Sequence, residues 1–264
     1  MTLRTTAALA LAAGLMLAGA AQAAPAVKLY TMDCGKLSLE DADMFADDGA
    51  YKGRKTDMVV PCYLVRHPKG DLIWDTGVPA SRDKLLAQLK QLGLEPKDIE
   101  YLSVSHSHFD HIGNAGLFAA STWIVDPDEK AYAFRPQQRA DEAQFKAYAA
   151  LEGARTVAVE GEGPHDVFGD GTVQVIPAPG HTPGHTVLLV KLPKAGPVIL
   201  TGDLWHIAES RAAKRVPRFN VDRAKTLASY EKIEALAAQT KARVVREHVP
   251  DDFAAMPAFP QALE

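Results

Sequence analysis

The sequence predicts a layered α/β fold in which two packed β-sheets are flanked by helices within one domain. Short runs rich in Val, Ile and Leu alternate along the chain with stretches of helical pattern, which is typical of layered α/β structure. The length of 264 residues suits one large α/β domain. No internal repeat, low-complexity segment or Gly/Ser linker divides the sequence into separate parts.

Composition excludes several classes of protein. Apolar residues make up 47% of the chain and the formal net charge is only -4, so the chain has enough apolar side chains to fold. Two cysteines are too few for a disulfide scaffold. The slightly acidic charge balance argues against a nucleic-acid partner, which would require a basic surface. The function must therefore reside in a local site.

The first 23 residues are predicted to be a secretory signal peptide. Arg4 precedes an apolar stretch at 7–21, and the small residues Ala21 and Ala23 stand where cleavage would require them. The apolar stretch has about 15 residues, fewer than the roughly 20 needed to cross a bilayer. An N-terminal membrane anchor is the alternative. We expect a single mature domain, 24–264, that is periplasmic or secreted and has no membrane attachment after cleavage.

Export would allow a disulfide between the two cysteines, Cys34 and Cys62. A bridge requires that their Cα atoms lie within about 7 Å, which the sequence does not show. Two buried thiols are the alternative. The pairing is left open at this stage.

The first half of the chain predicts four strands and one helix. The strands are expected at 27–32, 59–66, 71–75 and 100–105. Residues 81–92 predict a helix because leucines recur at helical spacing, with Ser81 placed as the cap and Gly93 as the stop.

The second half predicts a helical segment, a series of strands and a long helix. Residues 127–150 have helical composition. Strands are expected at 157–159, 166–168, 172–177, 186–192, 197–200 and 243–245. A long helix is expected from Asn220 or Asp222, as its cap, to about Thr240.

Seven histidine and aspartate side chains follow predicted strands at the point where each strand ends. They are His106, His108, Asp110, His111, His181, Asp203 and His248. Functional groups gather at strand ends in α/β folds, and imidazole and carboxylate are ligands for zinc and its neighbours. The sequence therefore predicts a centre for two divalent metal ions per chain, zinc first, with iron, manganese and cobalt as alternatives.

These motifs resemble the metallo-β-lactamase superfamily. Its HxHxDH signature stands at 106–111, and an Asp-Thr-Gly turn stands at 75–77. The resemblance implies a four-layer αββα sandwich with the site at one edge of the paired sheets. It implies two sets of metal ligands joined by a bridging Asp203. The first set is His106, His108 and His181, and the second is Asp110, His111 and His248.

Within that superfamily the chain is most similar to the N-acyl-homoserine lactonases, through the runs PCYLVRHPKGDLIWDTG, HSHFDH and PGHTPGH. The resemblance implies a hydrolase that opens a small lactone, with a hydroxide between the two metals as nucleophile. Many of these lactonases have a Tyr three residues after the bridging Asp, where this chain has His206.

Each candidate residue near the centre has an expected role. Asp110 or Asp203 would move a proton from the nucleophile to the leaving group. His206 would contact the substrate and donate a hydrogen bond to its carbonyl, and Phe109 would line the substrate pocket. His185 is expected to be structural, and His67 is expected to be solvated in a turn.

Three alternatives remain open. They are an exported β-lactamase, a phosphoesterase or sulfatase of the same superfamily, and a metal-binding protein without catalysis. Asp203 counts against the β-lactamases, which usually lack that bridging residue. The expected partner is a small-molecule lactone and no nucleic acid, and a homodimer is a further expectation.

Overall fold

A computed structural model describes residues 27–264, which form two β-sheets packed face to face with helices on both outer sides. In chain order the strands are β1 (Lys28–Leu39), β2 (Thr56–His67), β3 (Gly70–Trp74), β4 (Tyr101–Ser103), β5 (Thr122–Val125), β6 (Thr156–Ala158), β7 (His165–Asp166), β8 (Val173–Pro177), β9 (Thr186–Leu192), β10 (Gly196–Leu200), β11 (Arg243–Val245) and β12 (Ala262–Leu263). The predicted signal peptide lies outside the described residues.

The helices are α1 (Arg82–Gln91), α2 (Phe109–Ile112), α3 (Pro127–Ala133), α4 (Pro136–Ala140), α5 (Glu142–Phe145), α6 (Ser210–Ala213), α7 (Arg223–Thr240) and α8 (Pro250–Ala254). The first sheet has the order β12-β1-β2-β3-β4-β5-β6, and the second has the order β11-β10-β9-β8-β7. Within residues 27–264, no helix combines the length and the apolar character that crossing a membrane requires.

Both faces of the central strands are buried, because side chains alternate between the two faces of a strand. Tyr63 and Trp74 point into the space between the sheets, where they join Val190 of β9. The alternate residues Leu64 and Ile73 belong to the core on the outer side of the first sheet, which includes leucines of α1. A third core packs α7 on the second sheet. The predicted four-layer αββα sandwich is confirmed.

The two predicted helix caps have different outcomes. The Asp222 side chain accepts a hydrogen bond from the Lys225 amide at 3.0 Å and caps α7 as expected. The hydroxyl of Ser81 instead donates to the carbonyl of Val78 and makes no capping bond to α1. A short 3-10 turn runs directly into α1, so Ser81 lacks the extended backbone of a capping residue.

Several boundaries differ from the sequence expectation for identifiable reasons. β1 continues to Leu39 because its pairing with β2 resumes at Lys36, after a register shift that follows Asp33. The predicted helical segment 127–150 is divided into short helices, and Pro136 begins a new one because its ring cannot continue the preceding helix. β5 was not predicted. It has four residues and its place depends on parallel pairing with β4 and β6.

The expectation that His67 is solvated is wrong. Its side chain is 1% exposed, and the ring stacks on Phe168 with 4.0 Å between the ring centroids. Its Nε2 lies 3.0 Å from Oδ2 of Asp170, a residue of the loop between β7 and β8. The turn at the end of β2 is therefore covered by a loop that is distant in the sequence.

The open question of the cysteines is resolved by the fold. Cys34 in β1 and Cys62 in β2 form a disulfide with a Cα–Cα distance of 5.6 Å. The disulfide lies beneath the turn at 75–77, where a Cβ on Gly77 would lie 2.4 Å from Cβ of Cys34. Gly77 also has a φ of +71°, so both space and backbone conformation require glycine here.

We expect reduction of this disulfide to lower the free energy of unfolding by about 3 kcal/mol, since the bridge closes a loop of moderate length in the unfolded chain. The measurement is denaturant unfolding with and without a reductant. A Cys34→Ala/Cys62→Ala variant is the control and should not respond to the reductant. An unchanged unfolding midpoint in wild-type protein whose thiols are shown to be reduced would contradict this expectation.

Candidate metal centre

The seven predicted side chains meet at one edge of the two sheets. Two segments supply five of them. We name these the first ligand loop (residues 105–111, after β4, including the start of α2) and the second ligand loop (residues 178–185, after β8). The other two residues are Asp203, after β10, and His248, after β11. Because four strands end at this edge, residues about 140 positions apart approach within hydrogen-bonding distance.

The two oxygens of Asp203 face two different groups of ligands. Oδ2 lies 3.4 Å from Nε2 of His106 and 3.3 Å from Nε2 of His181. Oδ1 lies 3.1 Å from Nε2 of His111 and 2.8 Å from Nε2 of His248. Asp203 therefore stands between the two groups, as the family resemblance implies for a bridging carboxylate.

We name the two groups the first half-site and the second half-site. The first half-site is His106, His108 and His181, and the second half-site is Asp110, His111 and His248. In the first, Nδ1 of His108 lies 2.8 Å from Nε2 of His106 and 3.1 Å from Nε2 of His181. Both sets of side chains have ligand atoms close enough to share an ion.

The spacing of these atoms fits metal ions. Four ligands at 2.0–2.1 Å around a tetrahedral zinc lie roughly 3.3 Å from one another, close to the separations around Asp203. Nδ1 of His181 is buried and has no hydrogen-bond partner among residues 27–264, and the buried Oδ1 of Asp203, although 2.8 Å from Nε2 of His248, makes no hydrogen bond of good geometry. Oδ1 faces the second half-site, so an ion there would satisfy this buried oxygen.

Hydrogen bonds behind the centre fix which ring nitrogen faces it. Nδ1 of His111 lies 3.0 Å from Oδ2 of Asp75, and Nδ1 of His248 donates to the carbonyl of Val59 at 2.8 Å. Each bond leaves Nε2 directed at the centre. Such outer partners orient metal-binding imidazoles and are a regular part of metal sites.

Burial and charge give the side chains protonation states that differ between the half-sites. Burial lowers the pKa of His106 and His108 well below the usual value, so both rings are neutral and able to bind a metal. Burial acts against the charge of Asp203, but the surrounding imidazoles bring its pKa well below the usual range. Burial also acts against the charge of His111 and His248, but nearby carboxylates raise the pKa of both. Metal binding there must displace protons.

The residues with predicted catalytic or substrate roles lie at the same centre. Oδ2 of Asp110 is 3.6 Å from Nε2 of His248, and Asp110 is nearly buried. Nε2 of His206 is 2.9 Å from Oδ2 of Asp203. Phe109 is 39% exposed and stands beside the ligands at the rim of the site. The geometry is consistent with all three roles, which stay predictions.

His185 is structural, as expected. Its Nδ1 donates to the carbonyl of Ala178 at 3.1 Å, and its Nε2 accepts a hydrogen bond from the amide of Asp203 at 3.0 Å. Both ring nitrogens are therefore occupied by the backbone, and burial lowers the pKa of this ring to about 3. His185 holds the backbone of Asp203 in place. Gly202, with a φ of +50°, allows this approach because a Cβ there would lie 2.8 Å from Nε2 of His185.

Three buried carboxylates near the centre have positions there that the sequence did not predict. Asp75 has a φ of +55°, unusual for a residue other than glycine, and accepts a hydrogen bond from the Ser105 amide at 2.7 Å. Glu247 precedes a ligand in the sequence and is buried near Asp75, so burial and that neighbouring charge raise its pKa well above the usual value. Glu129, on α3, had no signal in the sequence, because its contacts come from both ligand loops.

Comparison with known proteins agrees with this geometry. Residues 56–241 match the family model of the metallo-beta-lactamase superfamily. The N-acyl homoserine lactonase AttM of Azorhizobium caulinodans is 32% identical over 260 residues, which cover 89% of this chain and 97% of that relative.

Two solved structures are similar over nearly the whole chain. A quorum-quenching N-acyl homoserine lactone lactonase has 28% identity and a TM-score of 0.77, and the match covers 90% of this chain and 98% of that one. An N-acyl homoserine lactone hydrolase, with N-hexanoyl-L-homoserine bound at its catalytic metal centre, has 26% identity and a TM-score of 0.76, with coverage of 90% and 99%. The ligand arrangement, the four-layer fold and these matches agree, and this chain belongs to the metallo-β-lactamase superfamily.

Proposed function

We propose that this protein is a dinuclear metal-dependent hydrolase that opens the ring of N-acyl-homoserine lactones. The observation that carries the proposal is the position of Asp203 between two complete half-sites. The relatives named N-acyl homoserine lactonases support the substrate class. When bound, two divalent ions supply an acidified water as nucleophile and a Lewis acid for the substrate carbonyl.

The chain supplies the proton transfer that ring opening requires. Water attack on the lactone carbonyl releases a proton, and the ring oxygen must receive one as the C–O bond breaks. We assign this transfer to Asp110, whose carboxylate belongs to the second half-site, with Oδ2 3.6 Å from Nε2 of His248. An ionised carboxylate can take the proton in one step and return it in the next. Asp203 has both oxygens directed at ligands and is therefore less suited to the transfer.

We propose that Nε2 of His206, which donates to Oδ2 of Asp203 at 2.9 Å in this structure, exchanges that acceptor for the reacting carbonyl when the substrate binds. Its ring is 3% exposed and packs against Phe45 and Phe219, with centroid distances of 5.1 and 5.6 Å. These contacts hold Nε2 beside Asp203. A donor fixed in this way stabilises charge that develops on an oxygen in the transition state.

We expect His206→Phe to lower kcat by about 10²-fold, because one donor to the developing oxyanion is lost. His206→Tyr should recover part of that loss, since a phenol also donates a hydrogen bond. The measurement is kcat for hexanoyl-homoserine lactone. His165→Phe, at a half-buried ring in β7, is the matched control. An unchanged kcat in His206→Phe would exclude the residue from the reaction.

We propose that exposed apolar side chains beside the centre bind the acyl chain. Among residues 27–264, four large apolar side chains are exposed, and three of them adjoin the centre in the sequence or through the backbone: Phe109, between two ligand residues, Met44, which precedes the Phe45 that packs on His206, and Val221. The amide of Val221 donates to the carbonyl of His181 at 3.1 Å, and the carbonyl of Met44 accepts from a neighbouring loop. Exposed apolar side chains gathered around a polar centre suit a ligand with an apolar tail. An acyl chain is such a tail.

Val221→Ser should reduce kcat/KM for decanoyl-homoserine lactone about tenfold, because an apolar contact with the acyl chain is lost. The loss for the butanoyl substrate should be much smaller, since a short chain does not reach Val221. Val157→Ser, at the fourth exposed apolar residue, is the control. An equal loss for both chain lengths would exclude Val221 from acyl binding.

The proposal is tested with a panel of substrates on the purified, metal-analysed protein. Hydrolysis of acyl-homoserine lactones, with little turnover of penicillins, carbapenems and phosphoesters, is the expected result. Hydrolysis of a β-lactam or a phosphoester alone would contradict the lactone assignment. Bound metal well below two equivalents per chain in the fully loaded protein would contradict the dinuclear centre.

Two finer parts belong to the same proposal. We propose zinc as the metal, since the ligands are imidazoles and carboxylates, and elemental analysis of protein from its native host tests this.

We also propose export, supported by the N-terminal sequence pattern and by a buried disulfide, which is typical of oxidising compartments. N-terminal sequencing of protein from a periplasmic fraction should begin at Ala24. A mature protein that retains Met1 would contradict export by cleavage.

A further inference from the structure

Glu129 is a buried carboxylate whose contacts link the two ligand loops. It lies on α3 and is 1% exposed. Its Oε1 accepts hydrogen bonds from the Ser107 amide at 2.7 Å and from the Ser107 hydroxyl at 2.6 Å. Its Oε2 accepts from the Thr182 hydroxyl at 2.5 Å and from the Gly184 amide at 3.1 Å. Each oxygen therefore serves one loop.

The four donors show that this carboxylate does more than fill space. A buried ionised group is costly unless hydrogen bonds satisfy it. Glu129 forms no ion pair within residues 27–264, and all four side-chain hydrogen bonds come from the ligand loops. If this position only had to pack α3 against the sheet, an apolar side chain would do so without the cost of removing a carboxylate from water. The carboxylate is suited to holding two loops at a set separation.

The loops joined by Glu129 are those that build the first half-site. Ser107 lies between His106 and His108, and Thr182 follows His181 directly. The second half-site is different, because its third member, His248, comes from the segment after β11, which donates none of the four hydrogen bonds to Glu129. A change in the separation of the two loops would therefore act on the first half-site more than on the second.

We propose that Glu129 is a positioning residue that sets the separation of the two ligand loops and so determines the metal affinity of the first half-site. Its side-chain hydrogen bonds go to Ser107, Thr182 and Gly184 and to none of the candidate ligands. Its effect is transmitted through Ser107 and Thr182 to the neighbouring histidines. The inference rests on the dinuclear centre of the proposed function and not on the lactone substrate.

The test is a titration of the metal-free, full-length protein with Co²⁺ in competition with a chromophoric chelator, together with the visible Co²⁺ spectrum. Glu129→Gln keeps the shape of the side chain but presents an amide N–H₂ to donors that need an acceptor. We expect one Co²⁺ equivalent to bind about 10–100-fold more weakly, the usual effect of losing an outer hydrogen bond at a metal site. The other equivalent should stay close to its wild-type affinity.

A second pair of variants tests the inference if Glu129→Gln folds poorly. Thr182→Val removes only the hydroxyl donor of the second ligand loop and should weaken the same equivalent, with a changed Co²⁺ spectrum. Thr182→Ser keeps the hydroxyl and should restore both the Co²⁺ affinity and the Co²⁺ spectrum. Ser121→Ala is the control for loss of a buried hydroxyl, because Ser121 donates to the carbonyl of Ile99 away from the centre. It should leave both equivalents unchanged.

The outcomes separate this inference from the proposed function. Equal weakening of both equivalents in Glu129→Gln and Thr182→Val, or no weakening of either, would overturn the role of Glu129. The titration needs no substrate, so a wild-type protein that binds two Co²⁺ ions and hydrolyses no lactone would contradict only the proposed function.

Discussion

Replacing Asp203 with alanine is expected to lower kcat/KM for the lactone by at least about 10³-fold, since the metals provide several kcal/mol of transition-state stabilisation. The physical reason is the position of the carboxylate between the half-sites, with Oδ2 near His106 and His181 and Oδ1 near His111 and His248. Alanine leaves each half-site one ligand short and removes the negative charge between the two ions.

The measurement combines kcat/KM with elemental analysis of the purified variant. We expect fewer than two bound ions per chain, since both half-sites lose the carboxylate that they share. Asp83→Ala, on the exposed surface of α1, is the control for loss of a carboxylate. Two tightly bound ions and near wild-type turnover in Asp203→Ala would show that Asp203 does not bridge the metals.

Replacing Asp110 with asparagine is expected to reduce kcat by about 10²–10⁴-fold, the contribution of a positioned proton-transfer group. Asparagine has the same shape and keeps an oxygen for the second half-site, so most of the metal should remain bound. An amide cannot accept the proton that the attacking water releases. The expected result is therefore a protein that holds metal and is almost inactive.

This combination distinguishes proton transfer from metal binding. Metal content and kcat are measured on the same sample, with Asp83→Asn as the matched control. Loss of metal in proportion to activity would make Asp110 a ligand only. Hydrolysis at the wild-type rate would remove Asp110 from the mechanism altogether.

The candidate ligands could be predicted from the sequence because they follow a simple local pattern. Each of the four segments that carry them follows a short strand that contains apolar residues, most clearly at β10. Strands with both faces buried are rich in apolar residues, so the positions where they end can be located in the sequence. The long helix α7 was predicted for a similar reason, since Asp222 is a good cap and does cap it.

Other features could not be predicted because long-range packing determines them. β5 is short, and its parallel neighbours on both sides create its hydrogen-bonding partners. The burial of His67 depends on Phe168 and Asp170, which are about a hundred residues away. Glu129 stands in a segment of helical composition like other glutamates, and it differs from them only because two distant loops donate to it.

The sequence by itself determined which chemical groups the protein offers: imidazoles and carboxylates at strand ends and two cysteines. Only the tertiary structure decided that Cys34 and Cys62 are adjacent, that the two oxygens of Asp203 face opposite half-sites, and that Glu129 lies between the ligand loops. The physical reason is the distance along the chain between the residues that interact. Side-chain chemistry and strand pattern are local properties, whereas these contacts arise when two sheets pack and bring together segments that are tens to more than a hundred residues apart.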